Sequence, residues 1–210
     1  MDRGAARGSL NQGVAAMCSF QDDLNLGSGI QSGGFDRVHQ VGPAAFELLR
    51  LDDSGSIELL VGDNRDSYNS RSGYGPGFSN PFNAYLWKME VHCGQLYVGT
   101  MDTSVFSLFT SKVKLSSYAA EHLDRSDLIG WLLSSGGADL WRTRDGLLWE
   151  PVTRNGFDNF YNYGVRTLVS DGRRLFIGTA NPFGPSTWNS ESGAYELNAL
   201  GGAEVIMLNS

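Results

Sequence analysis

The sequence predicts an all-β fold made of repeated four-stranded antiparallel units. Three observations predict it: a segment that recurs three times without a gap, a glycine share of 27 in 210 residues, and 24 aromatic residues with only 19% charged residues. Many tight turns need glycine, and an aromatic-rich, charge-poor chain buries enough surface to fold.

The recurring segment is NQGVAAMCSFQDDLNLGS at 11 to 28, NAYLWKMEVHCGQLYVGT at 83 to 100 and NYGVRTLVSDGRRLFIGT at 162 to 179. Each copy opens on Asn (Asn11, Asn83, Asn162), crosses an apolar stretch, turns, and closes on Gly and a hydroxyl residue (Gly27-Ser28, Gly99-Thr100, Gly178-Thr179). Two strands and a hairpin turn fit this pattern. A third strand follows an irregular stretch, carrying an acid at a shared position: Glu47, Asp139 and Glu204. A fourth strand follows the turns Asp53-Ser54-Gly55 and Asp145-Gly146, as Ile57 to Val61 and Leu148 to Val152. The third repeat stops at its third strand.

Ordered sets of four strands are the plan of β-propeller blades enlarged by loop insertions. The expectation is a single domain over 1 to 210, with blade 1 at about 11–62, blade 2 at about 83–153 and an incomplete blade 3 at about 162–208. The rival is a β-sandwich, whose strands have no reason to recur in ordered fours. About three blades fall short of the four or more that a closed propeller needs. The expected partner is therefore a second copy, as a homodimer, or further blades of a longer propeller.

The strand pairs ending LYVGT and LFIGTAN, the strand ADLWR and the turn Thr143 to Trp149 resemble kelch-like and Asp-box propellers. That turn is one residue short between Asp145 and Gly146. The resemblance implies a structural turn there and assigns no active site.

In such blades the loops at 29–44, 101–136 and 180–201 emerge on one face with the connections 62–82 and 153–161. A face that gathers long insertions is the expected binding face. Candidate ligand-binding residues at its channel mouth are Asn83, Tyr85, Trp87, Asp102, Asn162, Tyr163, Arg166 and Asn181. The asparagines either bind a ligand or close the entering loop through backbone hydrogen bonds. Four positions past each Asn stand Ala15, Trp87 and Arg166. This variation within a repeat points to recognition, with Trp87 stacking on a sugar and Arg166 clamping a carboxylate, or else to packing between blades. A partial helical pattern at 117–133 suggests a cap, and 64–82 reads as a recognition loop or a plain connection.

The functional expectation is a binding or interaction module for a glycan or protein. The alternative is a carbohydrate-active enzyme, a hydrolase or lyase using Asp102, Arg166 and Tyr85 or Tyr163, although one carboxylate does not make the usual glycosidase pair. Net charge −7 without a basic cluster argues against nucleic acid. No apolar run is long enough for a membrane helix, and the first residues lack the apolar stretch of a signal peptide. Cys18 and Cys93 form no disulfide framework or zinc spacing, and His39, His92 and His122 fall in unrelated contexts, so neither cofactor nor metal is expected.

Overall fold

A computed structural model describes residues 3–109, 130, 134–189 and 192–209. Apolar residues recur at period two around tight turns, and the chain folds accordingly into antiparallel strands. The first meander is β1 (Gly13–Phe20), β2 (Asp23–Gly29), β3 (Leu48–Leu51) and β4 (Ile57–Val61). The second is β5 (Asn83–His92), β6 (Gln95–Asp102), β7 (Leu140–Thr143) and β8 (Trp149–Thr153). The third has β9 (Gly164–Ser170), β10 (Arg174–Ala180) and β13 (Val205–Asn209), with a separate hairpin, β11 (Ser186–Asn189) and β12 (Ala194–Leu197), inside its long loop.

The expected all-β architecture and strand order are thus present. Among the described residues the sheet is open, however, and does not close on itself. The hairpin β11–β12 was not expected, because its strands are only four residues long and its turn, around Gly193, gave no marked signal beside the flanking Pro182, Gly184 and Pro185.

Consecutive meanders join by single bridges, Gly29 to Tyr85 and Met101 to Gly164. Two apolar layers fill the junctions. Phe46, Leu48 and Leu60 of the first meander pack with Leu86, Met89 and Trp141 of the second. Tyr97 and Leu140 of the second pack with Val165, Leu168 and Ile177 of the third. The repeated glycines allow this approach. A Cβ on Gly27 would lie 2.6 Å from Leu86 Cβ, and one on Gly99 would lie 2.4 Å from Val165 Cγ1.

The loop read at 64–82 is used inward. Arg71 and Ser72 donate backbone N–H groups to the Leu59 and Leu60 carbonyls, and the Phe78 ring stacks on Trp141 at 4.5 Å between centroids. The Thr143 to Trp149 turn is structural: Asp145 Oδ1 accepts the Leu147 and Leu148 N–H groups at 2.8 Å, and Trp149 Nε1 donates to the Gly146 carbonyl. The helical pattern at 117–133 lies outside the described residues, apart from Gly130. Among the described residues no helix is long and apolar enough to cross a membrane.

Gly27→Val should destabilise the fold by roughly 1–3 kcal/mol through overpacking against Leu86, read as a lower urea midpoint at unchanged slope. A midpoint equal to that of the wild type would show that this junction is not tightly packed.

Candidate functional site

Each meander is latched by one repeated polar network. Asn83 Nδ2 donates to the Gly77 carbonyl at 2.9 Å and to Asp139 Oδ2 at 2.9 Å. Asn162 Nδ2 does the same to the Gly156 carbonyl and Glu204 Oε2, and Asn11 Nδ2 to the Gly4 carbonyl and Glu47 Oε2. The backbone N–H of each acid then donates to the hydroxyl that ends strand two: Glu47 to Ser28, Asp139 to Thr100 and Glu204 to Thr179, all at 2.8 Å.

The asparagines close the entering loop, and the third-strand acids are their paired partners. Glu47 also takes a two-pronged contact from Arg65, at 2.8 and 3.0 Å. Gly4, Gly77 and Gly156 all have left-handed φ near +60°, where glycine is favoured. The latter two begin a related turn, Gly77-Phe78-Ser79-Asn80 and Gly156-Phe157-Asp158-Asn159, a second repeat that inspection of the strands alone overlooks.

Asp102 and Asn181 occupy equivalent places and show how one substitution alters the chemistry. Asn181 Nδ2 donates to Asn162 Oδ1 at 3.2 Å and to the Leu200 carbonyl at 2.7 Å. Asp102 is fully buried, accepting from Ser104 N–H, the Ser104 hydroxyl and Asn80 Nδ2. Among the described residues, Asn83 Oδ1, the counterpart of the carbonyl that Asn181 serves, is buried with no hydrogen-bond partner, as is Asp139 Oδ1. Burial, and secondarily the nearby Asp139 charge, pushes Asp102 up to about 7 against the hydrogen bonds it accepts. Burial likewise raises Asp139. Of the two forms of Asp102, only the protonated acid can offer the proton that Asn181 offers in the third meander.

The residues that differ between repeats share one irregularity. The ladders shift register at Ala15, Trp87 and Arg166, each the extra residue of a β-bulge on the first strand of its meander. Bulges re-aim side chains and are common beside binding sites. The structure brings Trp87 and Arg166 together: the guanidinium lies 4.8 Å from the indole centroid. Trp87 also covers Gly164, where a Cβ would lie 2.1 Å from its ring. Tyr163 lies 5.7 Å from Trp87, Phe106 packs 5.2 Å from Tyr163, and Phe183 packs 5.9 Å from Phe106. Arg166 itself is exposed.

Tyr85 stands apart from this patch, its ring over Gly29 and its hydroxyl accepting the Gly33 N–H at 3.3 Å. Asn83, Asp102, Asn162 and Asn181 are buried below the surface, the asparagines in the latches and Asp102 against Asn80 and Ser104. Phe106 and Phe183 were missed in the sequence, although each follows the strand-two terminus by a few residues in VGTMDTSVF and IGTANPF.

His92 Nδ1 pairs with Ser170 Oγ at 2.8 Å across the second junction, and His39 Nδ1 with Asp36 at 2.7 Å, while His122 lies outside the described residues. Among the described residues no three His, Cys, Asp or Glu side chains gather as a metal site. No family model matches the chain, and no curated protein or solved structure matches it.

Asp102 makes the fold sensitive to pH. Its folded pKa lies above the unfolded value of about 3.9, so its contribution is complete below pH ~4 and is lost as pH rises through ~7. The stability difference between wild type and Asp102→Asn should therefore shift in favour of the variant between pH 4 and 8, by a few kcal/mol at most. Urea melts at both pH values measure it, and parallel pH profiles would contradict the protonated state.

Proposed function

We propose that the three meanders are blades of a β-propeller and that the chain is a binding module. Its recognition patch is the bulge row at the loop-bearing end of the first strands. The observation that carries this reading is the exposed Arg166 guanidinium stacked on Trp87 and bordered by Tyr163. A guanidinium held against an indole keeps its in-plane N–H donors free for a planar anion such as a carboxylate. No hydrogen bond or ion pair engages Arg166 among the described residues, which leaves that capacity for a ligand.

The preferred ligand is a glycan bearing a carboxylate, with Arg166 as the anion contact and the rings of Tyr163 and Phe106 as apolar walls. A carboxylate-bearing segment of a protein meets the same chemistry. The open cleft with paired carboxylates that a glycosidase needs finds no support, because Asp102 is fully buried and held by Asn80 and Ser104.

Titration calorimetry with acidic and neutral oligosaccharides of equal length tests the reading. The acidic sugar should bind more tightly, and Arg166→Ala should weaken it about tenfold or more, the worth of one charge-assisted contact. Trp87→Ala, which removes the support beneath the guanidinium, should weaken it in the same direction. Equal binding of both sugars, unaffected by either substitution, would contradict the site.

A further inference from the structure

We propose that the exposed face of the first meander docks on the exposed face of the third meander of a second copy of this chain, so that two copies close one ring. The inference rests on the propeller reading.

Two junctions inside the chain define what a junction requires. At each, the residue three past the repeat Asn sits on the preceding meander's glycine: Leu86 on Gly27 and Val165 on Gly99. At each, a single bridge joins the strands, Gly29 to Tyr85 and Met101 to Gly164. At each, the residue before the third-strand acid exchanges backbone hydrogen bonds with the next meander. Phe46 N–H donates to the Asn83 carbonyl and its own carbonyl accepts from Gly77, and Ala138 does the same with Asn162 and Gly156.

One set of counterparts remains, divided between the two outer faces. Val14 is the knob and Gly178 the hole. Gly13 and Ala180 are the bridge pair, and Ala203 faces Asn11 and Gly4, whose left-handed turn is already formed. The exposures match. Leu86, Met89, Val165 and Leu168 are buried, whereas Val14 and Met17, at the same repeat positions, are 60% and 64% exposed.

The opposing face is apolar and open as well, with Val169 at 58% and Val205 at 78%. Glu47 and Asp139 are buried, yet Glu204, their counterpart, is exposed. Thr167 must adjust: its Oγ1 now stands 2.2 Å from the position a Gly178 Cβ would take and must turn aside for Val14. The junction is heterologous, head to tail, and two copies satisfy both of its ends only by closing.

Light scattering coupled to size exclusion tests it, over a series of protein concentrations. Wild type should run at twice 22.8 kDa. Val14→Lys and Gly178→Lys, each checked for an unchanged circular dichroism spectrum, should halve the mass. Leu148→Lys, at an exposed residue of the β7–β8 turn, should leave it doubled. A wild-type monomer, a mass that grows beyond two copies, or a dimer that survives Val14→Lys overturns the pairing. Because Arg166-dependent sugar binding is measured separately, these outcomes do not decide the ligand reading.

Discussion

A side-chain amide, a carboxylate and a hydroxyl, hydrogen-bonded together where strand one begins, set the geometry on which the rest of this fold depends. Asn83 spans the turn at Gly77 and the third-strand acid Asp139, and the N–H of that acid reaches the Thr100 hydroxyl that ends strand two. Three strands are thereby fixed at one end by groups that cannot be left unpaired in an apolar surround without a cost of about 1–3 kcal/mol each. The chain uses the same solution three times, so the meanders have a common shape. Their strand-one residues therefore meet the neighbouring meander at matching positions.

Shape alone does not bind meanders together. The small residue in the latch segment, Gly27 or Gly99, sits under a branched side chain of the following unit, so the apolar layers approach closely. The bulge on strand one follows from the same register: it lies between the latch and the regular ladder, and turns Trp87 and Arg166 towards each other. Structural repetition thus builds the frame, and the bulge position, where the repeats diverge, carries the cation and the aromatic surface.

Much of the frame was legible in the sequence. The Asn to Gly-hydroxyl segment located strands one and two of each meander, and the Asp-Gly and Ser-Gly turns located strands three and four. The asparagine role was legible only as a choice between ligand and loop, because a contact such as Asn83 with Asp139 joins residues 56 apart in sequence. The same holds for the patch: Trp87 and Arg166 share a repeat position, which made them visible, but nothing in the order of residues states that one stacks on the other. Phe106 and Phe183 lie in loops without periodicity and come together only through the fold. Asp102 read as an open carboxylate because its equivalence to Asn181 was visible, whereas the burial of that place was not.

Amide hydrogen exchange measures the latches most directly. Each network shelters the N–H of its acid, which donates to a buried hydroxyl, so the Asp139 and Glu47 amides should exchange among the slowest in the chain, together with those of Ser28 and Thr100 that complete the same rings. Asn83→Ala should release the Asp139 and Thr100 amides together while leaving the Glu47 and Ser28 pair protected. Exchange of the Asp139 and Glu47 amides at the rates of the surrounding loops would contradict the claim that these networks hold the meanders.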